Sequence, residues 1–166
     1  MNYAEIKRFD VANSPNIGSS IFVSGCANNC KGCFNKEVQS FTYGNPYTKD
    51  VEDMFISYLQ HPQVKNANLL GGEIMQQDSN IILNLVKRIK SETNVNIWCW
   101  TGLLWEDLIK QKDKLEILNY IDVLVDGKFE LSKRDLSLKF RGSSNQRVIL
   151  VQESLKQNKV IEKEIN

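Results

Sequence analysis

Cys26, Cys30 and Cys33 are the side chains in this chain best suited to chemistry, and they fall within one short segment. In Cys26-Ala27-Asn28-Asn29-Cys30-Lys31-Gly32-Cys33 the spacing lets a single loop bring three thiolates to one point. Three sulfurs can fill three corners of a tetrahedral metal site, or they can hold three irons of a four-iron cluster. The second arrangement leaves one iron without a protein ligand and therefore open to a substrate. Gly32 lets the backbone come close to a cluster, and Lys31 offsets part of its negative charge. Structural zinc, with Cys99 or His61 as fourth ligand, is a second reading of the same spacing, and redox or inert thiols are a third. Zinc loops more often use two pairs of cysteines, each with a two-residue gap, so the spacing leans toward iron and sulfide.

The elements that must position this loop are short apolar runs alternating with amphipathic stretches. Ile21-Phe22-Val23 is a β-prone run that ends at Ser24-Gly25, directly before the cysteines. Thr48 can cap a helix whose apolar positions are Val51, Met54, Phe55, Tyr58 and Leu59. Asn68-Leu69-Leu70 reads as a buried strand running into Gly71-Gly72-Glu73. Asp78 or Ser79 can cap the next helix, with Ile81, Ile82, Leu85, Val86 and Ile89 on one side. Asn96 to Trp100 is a third strand, closed by Thr101-Gly102. A helical region over 104–120 is expected to break near Lys112-Asp113. Ile121 to Val125 leads into Asp126-Gly127, and Arg147 to Val151 makes a last strand.

Strands alternating with helices imply an α/β fold with a largely parallel sheet. The chain has 166 residues, and a closed eight-stranded barrel needs roughly 200 or more. The expected architecture is therefore an open, partial (β/α) barrel, a single domain over 1–166, with its site at the C-terminal ends of the strands. Four chemically loaded segments fall at such ends: the cysteine loop, Gly71-Gly72-Glu73, Thr101-Gly102 and Asp126-Gly127. Convergence of all four on one edge would make a site.

Composition excludes several classes. The 21 basic side chains nearly balance 20 acidic ones, for a net charge of +1, so no basic field suits nucleic acid. No apolar run approaches the roughly 18 residues of a membrane span. The first residues lack the apolar core of a secretory signal, so a cytoplasmic location is expected.

C-x3-C-x2-C after a short strand, followed by a Gly-Gly-Glu strand end, resembles the radical S-adenosylmethionine superfamily. Phe9 to Asn13, Phe22 to Cys26, Gly32 to Asn35, Trp100 to Gly102, Val123 to Phe129 and Arg141 to Arg147 narrow the likeness. Over 6–151 the chain resembles the family of anaerobic ribonucleoside-triphosphate reductase activating proteins. The resemblance implies a [4Fe-4S] cluster on Cys26, Cys30 and Cys33, with S-adenosylmethionine bound through its amino and carboxylate groups to the remaining iron. It assigns Gly71, Gly72 and Glu73 to the methionyl amino group, which an acidic side chain and backbone carbonyls suit chemically. Thr101 and Gly102 would contact the cofactor from the next strand. Asp126 and Lys128 would reach sugar hydroxyls, the carboxylate or a cation, and Phe34 would pack near the adenine.

The implied activity is that of an activase: reductive cleavage of S-adenosylmethionine to a 5′-deoxyadenosyl radical, which makes a glycyl radical on the reductase. The implied partners are that reductase and a flavodoxin- or ferredoxin-like electron donor, with a homodimer suggested by analogy. An activase of another glycyl-radical enzyme would resemble a longer chain. A zinc-stabilised protein-binding module is the alternative from a different class, and it gives Gly71-Gly72-Glu73 no task.

The chain departs from the family pattern at Asn13-Ser14-Pro15-Asn16-Ile17-Gly18, where a glycine-proline-glycine turn and an arginine are usual. Asn16 can still adopt the left-handed conformation such a turn requires. Ile74 stands where proline commonly follows the acid, and Gly32 replaces an aromatic. Elsewhere, Cys99 reads as a small buried apolar residue, Trp98, Trp100 and Trp105 as core, and His61 as a surface or capping group. The stretch from Lys156 to Glu164 reads as a solvated tail. Arg141 and Arg147 are either surface charges or partners for a carboxylate.

Overall fold

The computed structural model describes residues 1–165. In chain order it contains β1 (Asn2–Asp10), β2 (Gly18–Val23), β3 (Asn45–Pro46), α1 (Lys49–Leu59), β4 (Asn66–Gly71) and α2 (Ser79–Glu92). Then follow β5 (Asn96–Trp100), α3 (Trp105–Leu108), α4 (Lys112–Leu118), β6 (Val123–Asp126), β7 (Arg147–Leu150) and α5 (Val151–Gln157). The strands form one seven-stranded sheet in the order β3-β1-β2-β4-β5-β6-β7. No pairing joins β3 to β7, so the sheet is open, as the chain length requires.

The four central strands run parallel, with Ile21 beside Leu69, Leu69 beside Cys99 and Cys99 beside Leu124. The flanks do not. β1 pairs antiparallel with β2 and with β3, and β7 pairs antiparallel with β6, matching Val125 to Val148. The sheet is thus mostly parallel, as expected, with antiparallel strands added at both edges. A parallel return needs a crossover helix, and the segment between β6 and β7 contains only a short 3-10 turn at Leu131–Lys133. The chain therefore doubles back.

The helix caps agree with the sequence reading. Val51 N–H donates to Thr48 Oγ1 at 3.3 Å, and Asn80 N–H donates to Asp78 Oδ1 at 2.9 Å, each engaging a donor that the first turn leaves free. α1 buries Phe55, Ile56 and Leu59, while Met54 lies at the surface; α2 buries Ile82, Leu85, Val86 and Ile89. The helical region after β5 breaks between Leu108 and Lys112, three residues before the expected place.

Alternation along the strands gives the sheet two unlike faces. Ile21, Val23, Ala67, Leu69, Ile97, Cys99, Leu124 and Ile149 pack with the helices in one large apolar core. The smaller cluster on the other face is Trp98, Val123, Val125 and Val148, with Trp100, Phe140, Leu150 and Ile165 packed against it. Trp98 and Trp105 are buried core residues, as expected, and Cys99 has no exposed surface. All helices that contribute to a core lie on one side, so the opposite face stays open beside Phe22, Leu70 and Trp100.

The charged C-terminal stretch is more ordered than a solvated tail. Ile161 C=O accepts from Leu150 N–H at 2.8 Å, and Lys163 N–H donates to Val148 C=O at 2.7 Å. This backbone covers the outer edge of β7 while its charged side chains face water, which protects an edge that would otherwise invite pairing. Among the described residues, no helix is long and apolar enough to cross a membrane.

Candidate cofactor-binding cleft

A cleft of about 480 Å³ opens on the helix-free face, at the C-terminal ends of the four parallel strands. Cys26, Cys30, Cys33, Phe34, Gly71, Gly72, Glu73, Thr101 and Gly102 all line it. Its size is that of a site for a cofactor or drug-sized ligand. Gly127 also lines it, whereas Asp126 does not. Three of the four strand-end segments converge through the residues expected of them, and the fourth through its glycine.

The first half of the cysteine loop is pinned to neighbouring segments by hydrogen bonds. Gly25 N–H donates to Val38 C=O at 2.7 Å and Cys26 N–H to Gln39 C=O at 3.0 Å. Ala27 N–H donates to Gln76 Oε1 at 2.7 Å, and Gln76 Nε2 donates to Asn28 Oδ1 at 3.1 Å. Asn28 Nδ2 in turn donates to Glu73 Oε2 at 2.8 Å. Asn28 and Gln76 were not singled out from sequence; an amide between two cysteines carries no distinctive signal until its partner is seen. All three cleft cysteines are half-buried. Gly32, expected to make room for a cluster, has φ +78°, and a Cβ there would crowd the Leu131 side chain at 3.1 Å.

Glu73 ties the rim together. It is 1% exposed, and four donors converge on its carboxylate. Met75 N–H (3.0 Å) and Thr101 Oγ1 (2.7 Å) donate to Oε1; Gly102 N–H (2.7 Å) and Asn28 Nδ2 (2.8 Å) donate to Oε2. One side chain thus connects the cysteine loop, the end of β4 and the end of β5. Thr101 Oγ1 also accepts from Leu103 N–H at 3.1 Å, which fixes its hydroxyl proton toward Glu73. Gly71 turns the chain at φ +114°, where an added Cβ would lie 2.5 Å from Val23 N. Only glycine fits there.

Asp126 has no exposed surface. Its carboxylate accepts from Trp105 N–H at 2.8 Å and from Arg147 Nε at 3.0 Å and Nη2 at 2.6 Å. Arg147 reaches on to Glu106 with both terminal nitrogens. This buried ion pair anchors β7 and α3 to the end of β6, directly behind Gly127. Phe34 is 70% exposed at the rim, 5.8 Å from Phe129 between ring centroids, with the Arg134 guanidinium over its ring.

The donor set fits a cluster better than structural zinc. Cys99 packs in the helix-covered core, on the opposite face of the sheet, and burial pushes its thiol well above the ordinary range. His61 sits beyond α1, edge-on to Phe9, and its Nδ1 accepts from Gln63 N–H. Neither expected fourth ligand lines the cleft that the three cysteines share. Among the described residues, no three His, Cys, Asp or Glu side chains are gathered as one metal ion requires. Thiolates on three different irons stand further apart than thiolates on one ion. Burial raises the Cys26 pKa, with Glu73 and the other two thiols adding to the effect. Cys26 is therefore a thiol until a cation is bound.

In the segment from Asn13 to Gly18, Asn16 takes the left-handed conformation that a tight turn there requires, with φ +65°. Ile74 is buried in the main core. The residues that sequence left undecided separate cleanly, because Arg147 is held by Asp126 and Glu106 while Arg141 lines the cleft.

Residues 13–149 match the family described as a 4Fe-4S single cluster domain. The chain is 41% identical over 150 residues to the anaerobic ribonucleoside-triphosphate reductase-activating protein of Vibrio cholerae, covering 88% of this chain and 96% of that one. It is 40% identical to the protein of the same name from Escherichia coli K12, with the same coverage. The similarity extends to the like-named protein of Enterobacteria phage T4, 37% identical over 89% of this chain and 93% of that one.

Proposed function

The chain belongs to the 4Fe-4S single-cluster family of anaerobic ribonucleoside-triphosphate reductase-activating proteins, and we propose that it acts as a radical S-adenosylmethionine activase. The observation that carries this reading is the convergence of one three-cysteine loop, a Gly-Gly-Glu strand end and Thr101-Gly102 on a single open cleft. When bound, a reduced [4Fe-4S] cluster supplies one electron to S-adenosylmethionine, whose C5′–S bond breaks to give methionine and a 5′-deoxyadenosyl radical that takes hydrogen from a reductase glycine.

The chain's own residues bind, orient and shield. Cys26, Cys30 and Cys33 would hold three irons. Gly71, Gly72, Thr101 and Gly102 form the wall that takes the methionyl group, and Glu73 holds that wall in register. The charge of Glu73 also favours an ammonium in the cleft, although its oxygens already accept from four donors. Asp126 acts from behind, fixing the β6 end so that Gly127 closes the wall. Phe34 and Phe129 offer an aromatic rim for the adenine.

The helix-free face gives a protein substrate access that a closed barrel would deny. A primary alkyl radical reacts with most hydrogen donors, so the reductase segment that carries the glycine must also cover the cleft during turnover. Lys31 and Lys36 are exposed beside the cluster loop, a surface suited to an acidic flavodoxin- or ferredoxin-like donor. The named relatives favour the ribonucleotide reductase over another glycyl-radical enzyme as the protein substrate.

The test is anaerobic reconstitution with iron and sulfide, then reduction and incubation with S-adenosylmethionine. About four irons per chain, with 5′-deoxyadenosine formed by the native chain and absent from Cys30→Ala, is expected. One zinc, no sulfide and no cleavage would replace this reading with the zinc module.

A further inference from the structure

Among the described residues, Arg141 is the only cationic side chain that lines the cleft. The loop before β7 presents it in a defined orientation. Phe140 takes φ +66°, a conformation that a bulky side chain rarely adopts, and is held in it from two sides. Trp100 Nε1 donates to Phe140 C=O at 2.7 Å, and the Phe140 ring lies edge-on to Trp98 at 5.4 Å. Arg141 then anchors itself by one nitrogen, Nη1 donating to Gln146 C=O at 2.6 Å. The Gln146 side chain braces the same loop, accepting from Gly142 N–H at 2.8 Å and Ser143 N–H at 3.1 Å and donating to Gly127 C=O at 3.0 Å.

This leaves the other edge of the guanidinium. Nε is buried and, among the described residues, has no hydrogen-bond partner. The Asp135 carboxylate, whose pKa is lowered by its Ser137 hydrogen bonds and less by the charge of Arg141, accepts from Ser137 N–H at 2.9 Å and Ser137 Oγ at 2.6 Å. A buried charged donor without an acceptor is costly. The Nε–Nη2 edge is also the fork that matches a planar carboxylate with two parallel hydrogen bonds. Arg147, the nearby cation at the start of β7, has both its Nε and its terminal nitrogens on Asp126 and Glu106.

Resting on the cofactor reading above, we infer that the Nε–Nη2 edge of Arg141 binds the carboxylate of the methionyl group of S-adenosylmethionine. In that arrangement the Gly71–Gly72 wall and Arg141 receive the oppositely charged ends of one zwitterion. Arg141 then sets both the affinity for the cofactor and the preference for a ligand that carries a carboxylate.

The experiment is equilibrium binding to the reconstituted, oxidised protein without reductase, where no turnover occurs. S-adenosylmethionine is compared with its decarboxylated analogue on the native chain, Arg141→Gln and Arg141→Lys, each checked for iron content and thermal midpoint. Loss of a charge-assisted bidentate contact should weaken S-adenosylmethionine binding by about 10- to 100-fold in Arg141→Gln. Binding of the decarboxylated analogue should hardly change, so the native preference for the carboxylate shrinks. Arg141→Lys, a point charge on a flexible stem, should fall between; it decides the matter if Arg141→Gln fails to hold iron. Unchanged S-adenosylmethionine affinity in iron-replete variants overturns the assignment, including the case where only reductase activation is lost and the carboxylate belongs to the partner. A native chain that binds no S-adenosylmethionine refutes the parent reading instead.

Discussion

Glu73→Gln changes one oxygen to an amide nitrogen, and the geometry leaves that nitrogen no acceptable orientation. If it replaces Oε1 it is set against Met75 N–H, and the Thr101 hydroxyl can meet it only by giving up its own donated bond and accepting from the amide beside Leu103 N–H. If it replaces Oε2 it faces Gly102 N–H and Asn28 Nδ2, and flipping Asn28 would break its bond from Gln76. Either way two hydrogen bonds to a charged acceptor are lost and donors are set against donors. At about 1.5–3 kcal/mol for each such bond, the loss is about 3–6 kcal/mol. That is a large share of the stability of a domain this size, about 5–15 kcal/mol. Urea unfolding of the apo chain should show a midpoint lowered accordingly, and amide exchange should accelerate at Met75, Gly102 and Ala27 before the central strands. Cluster loading should fall with it, because the same side chain steadies the cysteine loop. A Glu73→Gln protein within about 1 kcal/mol of native stability, with unchanged exchange at those amides, would refute the claim that this carboxylate organises the rim.

Arg147→Met should destabilise the chain by about 3–5 kcal/mol, since it leaves the fully buried Asp126 carboxylate without its cation. Adding Asp126→Asn should recover a substantial part of that loss in the same urea titration; no recovery would mean the pair is not the cause. Burial works to raise the Asp10 pKa, and donors from Ser20, Ala12 N–H and Asn13 outweigh it and hold it below the usual value. Its contribution is therefore complete above the unfolded pKa of about 3.9 and lost as pH falls through the folded value. Thermal melts of the apo chain should lose midpoint more steeply below about pH 4 than those of Asp10→Asn; parallel pH profiles would contradict this. Cys99→Ala should keep the full iron and sulfide content and cost only about 1 kcal/mol, whereas a drop in metal would restore the zinc reading.

The central strands, the two capped helices and the cysteine loop were legible because local pattern determines them. Periodicity marks the buried faces of α1 and α2, and glycine-rich turns mark where β4, β5 and β6 end. Strand direction is not local. Whether Arg147 to Leu150 returns parallel depends on what the segment after Gly127 does, and nothing in Val148-Ile149-Leu150 records it. β1 escaped notice because its residues lie mostly at intermediate or full exposure, without a clean alternation.

At the site, residue types pointed to the edge of the sheet where the cleft opens, while the hydrogen-bond partners of each residue there could not be read from sequence. Glu73 reads as an ammonium ligand until Asn28, Met75, Thr101 and Gly102 are seen to converge on it. Asp126 reads as a rim carboxylate until Arg147 is placed beside it. Arg141, on the loop before β7, and Arg147, at the start of that strand, carry the same side chain, and only their placement separates the cleft cation from the structural one.

The most direct test of the account uses the reductase with deuterated glycine, mixed with the reconstituted chain, S-adenosylmethionine and a reductant under anaerobic conditions. The account predicts a glycyl radical signal by electron paramagnetic resonance together with deuterium in the 5′-deoxyadenosine, both absent with Cys30→Ala. Unlabelled 5′-deoxyadenosine with no protein radical would contradict it, showing that the cleft cleaves the cofactor without activating this partner.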